Sequence, residues 1–544
     1  MRYLSENKRE DMRMKKRTAA RSIAALMGAA MVLTACGGGN TTAPTTGASS
    51  GGETQTASES AESGKITKTD IVVGQASDIV TLDPAGQQDT TSGVLMKHAY
   101  STLLDVDNEG KVVPDLAESY EMKSDTEYVF KLREDACFWD GTPVTAQDVK
   151  FSLDRAKGMP KTKSNTSKIE EVTVNGDHEV TIKLTEPYAA FKTIVTQHNL
   201  SILSEKAVTE AGDSYGDVDN LLGSGPFKVT EWVPNDHYTL VRNDNYWGEM
   251  PIATSITCRV IPEGSARTIA LEAGEIDVVW SVDPTDCANV ESNPDVKLLS
   301  QPSTGIDYVG MNTQKEKFSD KRVRQAINYA LDKQTFVDTI IEGRGLVANS
   351  YINAAIPGWT DEVEAYPYDP EKAKELLAEA GYPDGFECSI FVNGDLRTRS
   401  AQILQAQLAD VGIKVDISTY EWGALLDTLN AGEHEMFLLG WSNTSFDPDG
   451  STYQLFYSGN HGATGNRAFF SNDKVDELIL SAQRESEESK RMELYKELQF
   501  VLHEESPWCP LYYKENNVGV RADLKGFTLH AGAQHYLGNC HYEE

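Results

Sequence analysis

Two closely spaced runs decide the fold: Tyr128-Val129-Phe130-Lys131-Leu132-Arg133, and then Phe138-Trp139-Asp140-Gly141-Thr142-Pro143-Val144-Thr145-Ala146-Gln147-Asp148-Val149. In the first, Tyr128, Phe130 and Leu132 alternate with Val129, Lys131 and Arg133, which is the two-residue period of a β-strand. Asp140-Gly141-Thr142-Pro143 is a turn, with Gly for positive φ and Pro to fix the bend that follows. Thr145 can cap a helix with Asp148 three residues on, and Val149 and Leu153 supply its buried stripe. Strand, turn and helix follow one another directly.

The same grammar extends in both directions. Ile71 to Val73 is a short β-branched run stopped by Gly74, hence a buried strand. Val172-Thr173-Val174 and Val180-Thr181-Ile182-Lys183-Leu184 flank Asn175-Gly176, which predicts a hairpin turning at that dipeptide. Asp369-Pro370 opens a helix, Leu376, Leu377 and Ala380 line it, and Gly381 closes it. Helical periods also run through Val323-Ile327-Leu331, Ile403-Leu404-Leu408-Val411 and Leu478 to Leu502. Interleaved strands and helices predict α/β or α+β layers.

The N-terminus reads as a processing signal. Lys15, Lys16, Arg17 and Arg21 form a basic region, with later start codons available at Met12 or Met14, and an apolar stretch follows from Ile23 to Val32. That stretch is too short to span a bilayer. It ends in Leu33-Thr34-Ala35-Cys36, which resembles the bacterial lipobox, cut before a cysteine that carries a diacylglycerol. Residues 1–35 are thus expected to be a lipoprotein signal peptide. Residues 36–65 are expected to be the lipidated Cys36 and a flexible linker, and two acyl chains there would anchor the protein stably, palmitate being a common one. From Gly37 to Gly64 the chain is almost wholly Gly, Ser, Thr, Ala and Glu, which cannot bury enough apolar surface to fold. As a coil it would reach roughly 30 Å. Gly47-Ala48-Ser49-Ser50-Gly51 spells a G-x-S-x-G hydrolase motif but has neither the strand before it nor the helix after it that a nucleophile elbow needs.

The chain has 544 residues, 50 Lys and Arg against 83 Asp and Glu, and a net charge of −33. The first 35 residues hold eight basic and three acidic side chains, so without them 42 basic groups face 80 acidic ones. A surface so acidic repels phosphate backbones, and nucleic-acid binding is excluded. There is no apolar run of 18 residues. Seven cysteines are present, and the six after Cys36 lack CxxC spacing, which suits buried free thiols better than disulfides.

The first two runs resemble, almost letter for letter, the strand, turn and helix signature of the family-5 extracellular solute-binding proteins, the peptide/nickel class that feeds ABC importers. Around them stand Thr81-Leu82-Asp83-Pro84, Pro114-Asp115-Leu116-Ala117-Glu118-Ser119 and Gly223-Ser224-Gly225-Pro226-Phe227. Asn243-Asp244-Asn245-Tyr246-Trp247, Ala273-Gly274-Glu275-Ile276-Asp277 and residues 323–332 continue the family's order. The resemblance implies an α/β, two-lobed periplasmic-binding-protein-like clamshell with an additional smaller α+β domain. Its first lobe would take residues 66–105, 222–302 and 513–544, the accessory domain 106–221, and the second lobe 303–512. It further implies a monomer outside the cell membrane that delivers a peptide or peptide-like solute to ABC permease subunits, with no cofactor, no resident metal and no chemistry. The alternatives carried by the same fold are a metal chelate such as nickel, a glycoside or another small metabolite, and a sensor that does not transport.

Within that family Gly440-Trp441-Ser442-Asn443-Thr444-Ser445-Phe446-Asp447-Pro448-Asp449 resembles the pocket segment, in which an indole packs on the ligand. The expected ligand-binding residues are Trp441, Gly440, Ser442, Asn443, Thr444 and Asp447. Trp422 forms a second wall, and Gln88 and Asp89 reach in from the first lobe beside Gln87 and Thr90. Dipeptide binders of the family place an aspartate where Thr444 stands and an arginine at about Phe391. Both charges are missing here, and Arg397 or Arg399 is the nearest substitute. The preferred ligand is therefore expected to differ from a plain zwitterionic dipeptide. No Walker A or H-E-x-x-H pattern argues for an enzyme. His530, His535, Cys540 and His541 are a metal-ligating set by type, but Thr528 to Tyr542 is expected to be a closing strand, on which they would alternate faces.

Overall fold

The structure, a computed structural model, describes residues 65–544. The signal stretch, Cys36 and the tether lie outside the described residues. Two long antiparallel strands, Val296–Met311 and Trp508–Arg521, form a spine. Their ladder runs from Val296 opposite Arg521 to Gly310 opposite Trp508, with its widest register shift between Pro302 and Ile306. Pro302 has no N–H to give to a ladder. In the gap the Ser303 hydroxyl donates to the Lys514 carbonyl (2.7 Å) and accepts from the Gly305 amide (3.0 Å).

On one side of that break the spine continues into Met436–Ser442, then Glu387–Val392 and Lys414–Thr419. On the other it continues through Val278–Val279 into Asp70–Gln75, Ser255–Val260, His237–Arg242 and Phe227–Val233. Both sides mix parallel and antiparallel pairs, and each has cores of its own. Met436–Ser442 shows why: Met436 and Leu438 enter one core while Phe437 and Leu439 enter the other, as period-two alternation requires. Helices Lys321–Ala330, Pro370–Glu379 and Gly394–Ala409 cover the first face, and Trp422–Asn430, Asp449–Phe456, Asp473–Arg484 and Glu488–Glu505 the second. A strand covered on both faces must be apolar on both.

A separate four-stranded antiparallel sheet is ordered Ala117–Ser124, Glu127–Leu132, Glu179–Leu184, Ile169–Gly176. Tyr128, Phe130 and Leu132 point together into its core beneath helix Ala146–Lys157. That helix starts as its sequence predicts: the Asp148 carboxylate accepts from the Thr145 amide (2.9 Å) and from its hydroxyl (2.7 Å). Gly141 has φ 84°, the conformation for which the turn needs glycine. The result is a two-lobed mixed α/β fold with a smaller α+β unit.

Three local expectations need correction. The hairpin turns at Asp177-His178, because Gly176 pairs with Glu179 and Asn175 sits at a register shift inside the strand, its side-chain amide reaching Thr181 (2.7 Å). The Leu478–Leu502 period belongs to two helices separated at Glu485 to Glu487. Thr528 to Tyr542 is a compact loop with only Tyr542–Glu543 in a strand. His530 Nδ1 accepts from the Gly532 amide (3.1 Å) and Ala533 takes positive φ, so the segment folds on itself instead of extending. Asn245-Tyr246-Trp247 follows strand His237–Arg242 as a turn, with Trp247 packed against the smaller unit's core. Among the described residues no three His, Cys, Asp or Glu groups could hold a metal ion, and all six cysteines are free, five of them buried. No described helix is long and apolar enough to cross a membrane.

Candidate functional site

A cavity of about 720 Å³ opens where the spine changes register, and residues from both sides of the break and from the smaller unit line it. Strand Met436–Ser442 delivers Gly440, Trp441 and Ser442 to its wall, opposite Asp307, Ile306 and Gly305 respectively. A Cβ at Gly440 would stand 3.1 Å from both Asp307 carboxylate oxygens, so glycine leaves room for that buried acid. Trp441 packs on the core behind it and donates from Nε1 to the Gly450 carbonyl (3.1 Å), which fixes the ring. Trp422 begins helix Trp422–Asn430, and its Nε1 is buried without a partner among the described residues. The Arg397 guanidinium sits 6.0 Å from the Trp422 ring centroid.

The structure brings Gly440, Trp441, Ser442, Thr444, Trp422, Gln88 and Asp89 to one cavity. Asn443 and Asp447 stand apart from it. The Asn443 amide donates to Asp447 O (2.7 Å) and Ser451 Oγ (2.8 Å), and Asp447 takes a bidentate pair from Arg491 at 2.5 and 2.8 Å. Both residues hold the loop that positions Trp441, and neither lines the wall. Of the two arginines expected to replace the missing one, Arg397 lines the cavity, 3.8 Å from Asp307. Arg399 instead pairs with Asp283 at 2.7 Å across the opening. Phe391 packs against Tyr420, with ring centroids 4.9 Å apart.

Three further contacts cross the cleft or tie the smaller unit to it. Gln88 donates to Gln454 (3.4 Å), Thr444 Oγ1 donates to Gln197 (2.7 Å), and Gln454 donates to Asn165 (2.6 Å). What remains is unusual for an interior. Asp89 Oδ2, Gln88 Oε1, Gln534 Oε1, Trp280 Nε1, Trp422 Nε1 and Arg397 Nε are buried with no hydrogen-bond partner among the described residues, and all belong to lining residues. Buried polar atoms are almost always satisfied, so a cluster of exceptions around one void points to a polar guest.

Sequence reading missed Asp307, Trp280, Gln534 and Arg467. Asp307 carried a legible signal, a charge in the otherwise apolar run Ile306-Asp307-Tyr308-Val309. Arg467 carried none, because only the tertiary fold turns it inward. It is 5% exposed and lines the cavity, and burial depresses its guanidinium below the usual range. Burial pushes the Asp89 carboxyl up, opposed by its bonds to Ser92. His535 stacks on Trp280 (centroids 5.1 Å apart) and is pushed down to about 3 by burial, so it is a neutral wall.

A family model described as bacterial extracellular solute-binding proteins, family 5 Middle, matches residues 111–463. The glutathione-binding protein GsiB of Shigella boydii serotype 4 is 32% identical over 479 residues, 85% of this chain and 92% of that protein. Among solved structures, the periplasmic binding protein DppA of Helicobacter pylori in complex with the peptide STSA superposes with TM-score 0.84. It is 28% identical, covering 88% of this chain and 99% of that one. The oligopeptide-binding protein AppA of Bacillus subtilis, in complex with a nonapeptide, gives TM-score 0.81 at 26% identity, covering 88% of this chain and all of that one.

Proposed function

The chain belongs to the bacterial extracellular solute-binding proteins of family 5, and from that premise we propose that it is the peptide-capturing component of an ABC importer. The observation that carries this is the cavity between the two sides of the spine, lined from both and edged with unpartnered polar atoms. Such a guest touches both lobes at once, so it favours the closed arrangement by its differential affinity. Glutathione, named for the Shigella relative, and short peptides, bound in the two solved structures, are the first ligand classes to try. Trp441 and Trp422 supply apolar area with little rotamer entropy to lose, and the peptide's own amide groups answer the orphaned donors and acceptors. No bond is made or broken.

Lobe boundaries near 302/303 and 512/513 are supported by the register shift at Pro302–Ile306, and the smaller unit at 106–221 by its own sheet and core. The closed surface is what permease subunits would read. Cys36 would carry the lipid that holds the protein outside the membrane, as the lipobox pattern indicates. Cys36→Ser is expected to release the protein from membranes, and a variant that still sediments with them in high salt would refute the anchor. For capture itself, the purified protein is mixed with a pool of mixed-sequence di- to pentapeptides and glutathione, then read by native mass spectrometry. Retained peptide masses are expected. A folded protein that retains none would overturn the peptide reading.

A further inference from the structure

The charges on the cavity wall do not cancel locally. Asp307 is held between two cations, Lys514 at 3.0 Å and Arg397 at 3.8 Å. Arg467 spends its Nε on Asn430 Oδ1 (3.0 Å), and no carboxylate among the described residues lies within ion-pair distance of its guanidinium. Lys161, behind the wall, stands in Coulombic range of Arg467 and also of Asp89 and Asp427, and forms no ion pair among the described residues. Arg467 is therefore a lining cation without a paired acid among those residues. From the other side, Asp89 caps helix Thr90–Ala99 through Oδ1, which accepts from the Ser92 amide (2.9 Å), while Oδ2 is buried with no partner among the described residues. Asp89 and Arg467 feel each other's charge but do not pair.

A buried ion without a counter-ion costs several kcal/mol unless something else supplies one. The other lining charges show what satisfaction looks like. Asp283 is met by Arg399 at 2.7 Å, Arg344 by Glu291 at 2.7 Å, and Arg267 by the carbonyls of Ile261, Pro262 and Ser281. Arg467 and Asp89 also line the void without an ion pair among the described residues, opposite in sign and from different parts of the fold; the acids Asp395 and Glu515, likewise without an ion pair, are more exposed than Arg467.

We propose, resting on the peptide-capture reading, that Arg467 receives a carboxylate of the bound peptide and Asp89 its ammonium group. The charges absent at Thr444 and Phe391 are thus supplied from other positions, and the ligand class becomes peptides with a free amine and a free carboxylate. This revises the expectation drawn from Thr444 and Phe391 alone. Orientation follows: the amino end lies toward helix Thr90–Ala99 and the carboxylate toward the loop that carries Arg467.

The test compares each peptide of a mixed-sequence pool in three forms: free, N-acetylated and C-amidated. Wild type is expected to prefer the free form over either blocked form by about tenfold or more, the size of a charge-assisted hydrogen bond. Arg467→Gln should abolish the preference for free carboxylate and keep the preference for free amine. Asp89→Asn, which retains the helix cap, should do the reverse. The readout is a ratio within each variant, so a general loss of stability cannot mimic it. Equal binding of blocked and free peptides by wild type, or unchanged ratios in both variants, would overturn the assignment while leaving peptide capture intact. Failure of wild type to bind any form would sink the capture reading itself.

Discussion

Trp422 and Trp441 look equivalent in sequence but are anchored differently. Both pack on the same core, but Trp441 is also tied by its Nε1 to Gly450, whereas the Trp422 Nε1 has no partner among the described residues. Trp422→Ala is therefore expected to weaken peptide binding by about 2 kcal/mol, roughly 30-fold, with little change in melting temperature. Trp441→Ala should cost a similar amount of binding, about 2–4 kcal/mol, and lower the melting temperature as well. Calorimetric titration beside thermal unfolding separates the two. Equal thermal loss in both variants would show that Trp422 is core rather than wall. The sequence exposes both indoles because each sits in a short motif. It could not show Asn443 and Asp447 turning away, since their roles depend on Ser451 and Arg491, several residues to more than forty away in the chain.

At the scale of elements, the cleft is crossed by the ion pair between Arg399 on helix Gly394–Ala409 and Asp283 at the turn Pro284–Asp286. The pair is partly exposed, so its worth is modest, about 0.5–1 kcal/mol. Because it joins opposite sides, Arg399→Ala should weaken every ligand alike, by about two- to fivefold, without altering which peptide is preferred. A change of preference would place Arg399 in the site. Elements were well legible where their determinants are local. The Thr145–Asp148 cap, the Asp369-Pro370 start and the Tyr128, Phe130, Leu132 face all lie within a few residues of one another. The Asn175-Gly176 turn failed because ladder pairing of Gly176 with Glu179 and the Asn175 side-chain bond to Thr181 outweighed the dipeptide's local preference. The closing strand failed because histidine side chains bind nearby backbone amides and coil the segment.

For the whole molecule, burial of histidine sets the acid response. His98, His434, His503 and His530 are pushed down to about 4, and His198 and His535 to about 3, in each case chiefly by burial. Between those values and 6.5 the unfolded chain binds more protons than the folded one, so stability is present above pH 6.5 and lost as pH falls. Asp115, raised to about 7, and Asp449, raised to about 6, both by burial, act oppositely: their share is lost as pH rises. Asp89, raised by burial, adds to that opposing share, and the six histidines outweigh the three acids. His237, part-exposed, shifts upward where screening discounts it, and His541 shifts upward through its bond to the Asn539 carbonyl. The melting temperature is expected to fall steadily from pH 7 to pH 4.5, and a flat or rising profile would contradict the burial pattern.

Closure over a peptide is the claim on which everything else depends, and small-angle X-ray scattering reads it directly. The purified protein is measured alone and with the tightest-binding peptide of the pool at a hundred times its Kd, where linkage also adds about 2.7 kcal/mol of stability. The radius of gyration is expected to fall as the two sides of the spine close on the ligand. A bound peptide that leaves the radius of gyration and the melting temperature unchanged would contradict capture by closure.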